Sequence, residues 1–210
     1  MKHCNELRWL ALCLLLAGCA GAPPVPTSVP AAQPSSSESI EAPATRASEA
    51  AQTHFAVALD FMRRERYEDA AIALEAMTRS YPELITPYLN LAIAFERSGH
   101  ADKAEQTLRA ALVQHPRSAL AYNHLGLLYR QGGRFSQARE AYEQALKIDP
   151  DYTDAHFNLA ILYDLYLQQP SSAFLHYEYY RHAGGNDPMV ERWLADLRQR
   201  MSQPAAGAKP

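Results

Sequence analysis

Residues Ala119–Tyr152, ALAYNHLGLLYRQGGRFSQAREAYEQALKIDPDY, decide the fold. The proline near the end of this stretch, Pro150, follows Pro116 by 34 residues, and Pro116 follows Pro82 by the same interval. A fixed period of about 20 to 50 residues marks a solenoid, in which each repeat buries its apolar face only against its neighbours. Within the block, small residues (Gly126, Ala138, Ala145) stand among large ones (Leu125, Tyr129, Tyr142). The small residues let two helices approach closely, and the large ones fill the space around that contact. A proline cannot continue the second helix, so it turns the chain into the next unit.

The block resembles the tetratricopeptide repeat almost position by position. Tyr122, Leu125, Gly126, Tyr129, Ala138, Tyr142, Ala145 and Pro150 occupy that family's eight signature positions. One repeat earlier the same places hold Tyr88, Leu91, Ala92, Phe95, Ala104, Leu108, Ala111 and Pro116, and before that His54, Val57, Ala58, Phe61, Ala70, Leu74, Met77 and Pro82. The resemblance implies an all-α solenoid of helix-turn-helix repeats at about 51–84, 85–118, 119–152 and 153–186. The fourth repeat is degenerate. His156, Leu159, Ala160 and Tyr163 are in place, but Ala173 and Tyr177 come one residue late and the turn glycine is missing. This predicts a longer first helix ending before Pro170 and a second helix from about Ser171 to Ala183, stopped by Gly184-Gly185. Asp187 then reads as an N-cap with Pro188 behind it, and Val190, Trp193, Leu194, Leu197 and Met201 recur at helical spacing. That predicts a capping helix over 187–201 and a loose tail over 202–210.

In this family the first helices line a concave surface, and ligand contacts lie at fixed repeat positions. The resemblance therefore implies a partner-binding groove that includes Phe55, Leu59 and Arg63, then Leu89, Ile93 and Arg97, then Asn123, Leu127 and Arg130, and finally Phe157 and Ile161. An apolar floor with charged edges suits a docked peptide or helix. Leu59, Ile93, Leu127 and Ile161 are equally natural as packing between neighbouring repeats. A carboxylate clamp known from some family members has no counterpart, since Phe55, Leu59, Leu120 and His124 stand where that clamp carries polar or basic groups. Six of the twelve tyrosines, Tyr152 and five within 153–186, crowd the region of the fourth repeat, and Tyr166 and Tyr179, which fall outside the signature positions, are the candidates for an exposed contact.

The N-terminus reads as an address. Lys2 and Arg8 precede the apolar run Trp9–Leu16, and small residues close it. Leu16-Ala17-Gly18-Cys19 resembles the lipobox of bacterial lipoproteins, which implies cleavage before Cys19 and a lipidated Cys19 as the mature N-terminus. By the same resemblance, Ala20 in place of an aspartate directs the protein to the outer membrane, facing the periplasm. Cys4 and Cys13 fall in the removed peptide, so no thiol is left for a disulfide, a metal or a nucleophile. From residue 19 to about 48 the chain is rich in Pro, Ala and Ser, with few large apolar side chains, and reads as a tether.

With 20 Lys and Arg against 23 Asp and Glu, the formal charge is −3, which gives no electrostatic footprint for nucleic acid. No zinc-protease helix motif, phosphate-cradling glycine loop or serine elbow occurs, and the histidines are scattered among the repeats. The expectation is a non-catalytic adaptor with no cofactor and no metal, holding a protein or peptide in its groove and the membrane through its lipid. Lipobox, tether and repeats together look like the tetratricopeptide lipoproteins that assist assembly of type IV pili and related secretion machines. A second group of similar plan scaffolds peptidoglycan hydrolases and proteases.

Overall fold

The structure is a computed structural model and describes residues 43–202; Cys19, the lipobox, most of the tether and the tail from 203 onward lie outside the described residues. Nine α-helices follow one another among the described residues: α1 (Pro43–Arg63), α2 (Tyr67–Ser80), α3 (Ile85–Arg97), α4 (Ala101–Gln114), α5 (Ala119–Gln131), α6 (Phe135–Ile148), α7 (Thr153–Ile161), α8 (Pro170–His182) and α9 (Met189–Ser202). They pair as α1–α2, α3–α4, α5–α6 and α7–α8, each second helix also packs on the first helix of the next pair, and α9 covers α8. Helix α1 begins at Pro43, inside the stretch expected to be tether up to Ser48. Proline is well placed there, because the first helical position needs no backbone donor.

The contact inside each pair is a small residue on the first helix against a large one on the second. In the third repeat these are Gly126 and Tyr142, and the equivalent positions, Ala58 and Leu74, Ala92 and Leu108, and Ala160 and Tyr177, are all buried. In the third repeat a Cβ at Gly126 would lie 2.5 Å from Cε1 of Tyr142, so the glycine makes room for a ring where the first two repeats hold a leucine. A second buried ladder, Ala70, Ala104, Ala138 and Ala173, keeps the helices close along the whole array.

The turn inside each repeat has its own period. A left-handed residue ends the first helix at Glu65 (φ 57°), Gly99 (81°), Gly133 (70°) and Gln168 (52°). In the first three repeats the next residue donates its N–H to the carbonyl five residues back: Arg66 to Phe61, His100 to Phe95 and Arg134 to Tyr129, at 2.7 to 2.9 Å. Such bonds satisfy carbonyls that the helix end leaves open. The fourth repeat reaches the same turn with one more residue. Helix α7 widens into a π-helical turn over Leu162–Tyr166, closed by Leu167 N–H on the Leu162 carbonyl at 3.0 Å. A π-turn absorbs a single inserted residue, which is why Ala173 and Tyr177 arrive one position late yet are buried like their counterparts.

The capping helix forms as expected. Asp187 accepts the Met189 N–H at 2.8 Å, and Val190, Leu194 and Leu197 are buried against the core. Trp193 sits 5.4 Å from the ring of Tyr177 and 6.2 Å from that of Phe157, centroid to centroid. Two ion pairs fasten the outer side: Arg198 on Glu178 at 2.7 Å, and Arg200 on Asp164, whose side chain is itself nearly buried.

Two predictions follow from these contacts. Gly126→Ala costs about 1–3 kcal/mol through overpacking, whereas Gly126→Ala combined with Tyr142→Leu recreates the Ala–Leu pair of the first two repeats and recovers most of that loss. Additive losses in a thermal or urea double-mutant cycle would refute the pairing. At the fourth turn, Gln168→Gly relieves a left-handed side chain and raises stability by roughly 0.5–1 kcal/mol, read as an upward shift of the melting temperature.

Candidate functional site

The first helices α3, α5 and α7 touch in succession and form one face of the array. Along this face Phe55, Leu59, Ile93, Leu127 and Ile161 are half-buried, and Leu120 is 41% exposed. Arg63 and Arg97 are exposed at its edge and Arg130 is half-buried. Apolar side chains with partial exposure thus stand near arginines at these positions.

Three of the expected floor residues are engaged inside the protein, two of them buried and Phe157 half-buried. Leu89 is 4% exposed and belongs to the core, since α3 is flanked by α2 and α4 and also meets α5. Asn123 is 3% exposed and its amide is spent inside the protein. Its Oδ1 accepts from Nδ2 of Asn158 at 3.1 Å, and its own Nδ2 lies 3.5 Å from the Tyr152 hydroxyl, which joins the third repeat to the fourth. Phe157 is covered by Tyr177, Tyr180 and Trp193, with ring centroids 4.8 to 6.3 Å away. The longer fourth repeat and its cap fold back over a position that an ordinary repeat leaves open.

His124, which the sequence marked only as the wrong residue for a carboxylate clamp, proves to be part of this face. It is half-buried, with Glu96 and Asp154 as its charged neighbours, one from the repeat on either side. Burial pushes its pKa below the ordinary histidine value, although both carboxylates pull the other way. The signal in the sequence was acid at two flanking groove positions, Glu96 and Asp154. At the N-terminal end of the face, Ser48, Gln52 and Phe55 of α1 together with Tyr81, Leu84 and Thr86 line a cavity of about 440 Å³.

The polar joints behind the face are built from single carboxylates. Glu105 accepts from Arg134 at 2.6 Å, Arg109 at 2.9 Å and the Tyr129 hydroxyl at 3.1 Å, bridging α4 to α5 and the turn before α6. Burial alone would raise its pKa, but the three donors outweigh burial and hold the carboxyl below its usual range.

In the fourth repeat two histidines meet. His156 Nε2 lies 2.9 Å from the Pro150 carbonyl and its Nδ1 lies 2.9 Å from Nδ1 of His176. A carbonyl only accepts, so Nε2 of His156 carries the proton and its Nδ1 lone pair receives the His176 N–H. The two expected contact tyrosines pack around this region. Tyr179 stacks on His156 at 4.0 Å and donates to Asp151, and Tyr166 lies on Phe135 at 4.7 Å; both stay exposed at one edge. Burial, reinforced by His156, lowers the His176 pKa to about 4. Among the described residues no cluster of three His, Cys, Asp or Glu side chains is arranged to hold a metal ion, and no helix is long and apolar enough to cross a membrane.

Residues 126–165 match the family model described as TPR repeat, and residues 85–128 match the tetratricopeptide repeat model. Residues 85–165 are tetratricopeptide repeats, and the helical solenoid has that fold. It resembles a solved structure of pilF from Pseudomonas aeruginosa, with 22% identity over 74% of this chain and 71% of that one and a TM-score of 0.65. A tetratricopeptide-repeat protein of Thermus thermophilus is similar at 20% identity over 72% and 83%, with a TM-score of 0.58. The first repeat domain of Spaghetti, bound to an HSP90 peptide, is similar at 16% identity over 57% and 94%, with a TM-score of 0.52. At these identities what is shared is the fold. No curated protein matches the chain.

The histidine pair of this solenoid gives a signed pH dependence. The folded pKa of His176 lies below the unfolded value near 6.5, so the unfolded chain binds the extra proton between those limits. Stability is full above pH 6.5 and is lost as pH falls toward about 4, by roughly 2–3 kcal/mol from this group. His176→Gln flattens urea midpoints measured across that window; an unchanged slope would remove His176 from the account. The residual slope belongs to His124 and to the paired carboxylates.

Proposed function

We propose that this protein is a non-catalytic adaptor that holds a protein segment on the face formed by α1, α3, α5 and α7. One observation carries the reading. After the buried and internally bonded residues are set aside, a run of half-exposed apolar side chains, from Phe55 through Ile93 to Leu120 and Leu127, remains beside exposed Arg63 and Arg97. Phe55 and Leu127 pack in part against the core, yet each keeps an accessible side, and an apolar strip rimmed by charge suits an extended peptide or an amphipathic helix. The Spaghetti repeat domain, of like fold, is bound to a peptide.

The lipobox around Cys19 supports anchorage to the outer membrane with the repeats in the periplasm, and the residues up to the start of α1 act as a spacer. The likeness to pilF of Pseudomonas aeruginosa favours a part in assembling a pilus or secretion complex. Scaffolding of wall hydrolases is the second reading of the same plan.

Ile93→Asp and Leu127→Asp place charges in the strip without touching the small–large contacts. Each reduces recovery of crosslinked periplasmic partners tenfold or more while helical circular dichroism is kept; undiminished recovery from both would place binding elsewhere. Cys19→Ser releases the protein from membrane fractions, and unchanged fractionation with normal processing would refute the anchor.

A further inference from the structure

The N-terminal end of the solenoid carries an interface of the kind that joins one repeat to the next. On the side of the second helices a groove recurs with the period of the sequence. In the second repeat it is lined by Tyr88, Leu91, Gln106 and Ala110, with Glu75 and Thr78 of the preceding α2 as its far wall. One repeat on, Tyr122, Leu125, Glu140 and Gln144 line it, with Arg109 of α4 as the wall. The first repeat has the corresponding groove, about 220 Å³, lined by His54, Val57, Ala73, Ala76, Met77 and Ser80 of α1 and α2 alone.

Exposure shows what covers this position elsewhere. Leu91, Leu125 and Leu159 are 4%, 6% and 1% exposed because a preceding second helix lies over them, while their counterpart Val57 is 50% exposed. Ile72, at 68%, stands where the next two repeats carry Gln106 and Glu140. This solvent-facing position is polar in the second and third repeats and apolar in the first, as it is again at Leu175 of the fourth.

We propose that a second copy of this chain covers this end, docking face to face about a two-fold axis with the two α2 helices antiparallel. A two-fold contact requires a surface complementary to itself, and the stripe of α2 has that property. It opens on Glu68 and Asp69, carries Ile72, Ala73 and Ala76 in its middle and ends beside Arg79. Antiparallel pairing with the axis level with Ala73 and Leu74 sets Glu68 of each copy beside Arg79 of the other and brings the two Ile72 side chains within about one helical turn of each other, with the helix dipoles opposed. Within one copy Arg79 has only a 3.8 Å contact with Glu75 on its own helix, which leaves it free to turn outward. The alanines permit the close approach that the repeats use internally. At the opposite end the outer side of α9 presents mainly polar side chains, Glu191, Arg192, Asp196 and Gln199, beside the partly exposed Met189 and Met201. The contact therefore closes as a dimer and does not propagate as a filament. It leaves the peptide face free and does not depend on the reading given to that face.

Sedimentation equilibrium of the full chain at low salt tests this, at concentrations up to about 100 µM. The expected result is a dimer that Ile72→Asp and Ala76→Arg each weaken at least tenfold with helicity kept, while Leu175→Asp, equally exposed on α8, changes nothing. Glu68→Lys weakens the dimer, and adding Arg79→Glu to it restores association. A monomer throughout the concentration range overturns the proposal, as does a dimer that survives Ile72→Asp or dissociates only on Cys19→Ser. Failure of the double charge reversal to restore association overturns the antiparallel arrangement.

Discussion

Everything in this protein depends on how closely two helices of one repeat can approach. A small residue on the first helix admits a large one from the second, and the pairs differ in how they divide a similar space: alanine with leucine twice, glycine with tyrosine once, alanine with tyrosine once. Packed interiors tolerate changes that keep total volume and resist those that do not. The third repeat can therefore bury the ring of Tyr142 only because Gly126 has no Cβ. With that distance set, the alanine ladder aligns the helices and the turn residues bring each pair back to the same starting direction.

The fourth repeat shows what happens when this unit receives one extra residue. The insertion is taken up in a π-helical turn, where hydrogen bonding widens but no buried partner is lost. Gln168 replaces glycine at the left-handed turn. The larger aromatic content then extends the core outward, since Tyr177 and Tyr180 reach Phe157 and Trp193 and draw the capping helix onto the array. One consequence is a repeat whose first-helix aromatic, Phe157, packs in part against the cap. Another is the contact of buried His156 with half-buried His176, whose desolvation favours the neutral His176 ring.

The face proposed for partner binding is shaped by subtraction. Its backbone arrangement follows from the repeat, but Leu89 is drawn into the core, Asn123 is engaged by Asn158 and Tyr152, and Phe157 is covered. The residues that remain are less aromatic and more aliphatic than the repeat positions suggested. They surround a half-buried histidine between two acids, so the charge at the middle of the face differs from the arginine-rich edges.

The period of the prolines, the capping aspartate, the helical spacing after Pro188 and the small-against-large pattern were all legible in the sequence, because they are local or recur at a constant interval. These features determined the architecture, the number of repeats and the capping helix. Exposure was decided only in the folded array, since it depends on what a neighbouring repeat places over a position. The equivalent side chains Val57, Leu91 and Leu125 read alike in the sequence, yet the first stands open and the others are buried, because only the later repeats have a helix before them. The partner contacts of His124, His156 and Asn123 have the same origin: each partner lies at least 20 residues away or on another repeat, and the chain brings them together only when the helices stack.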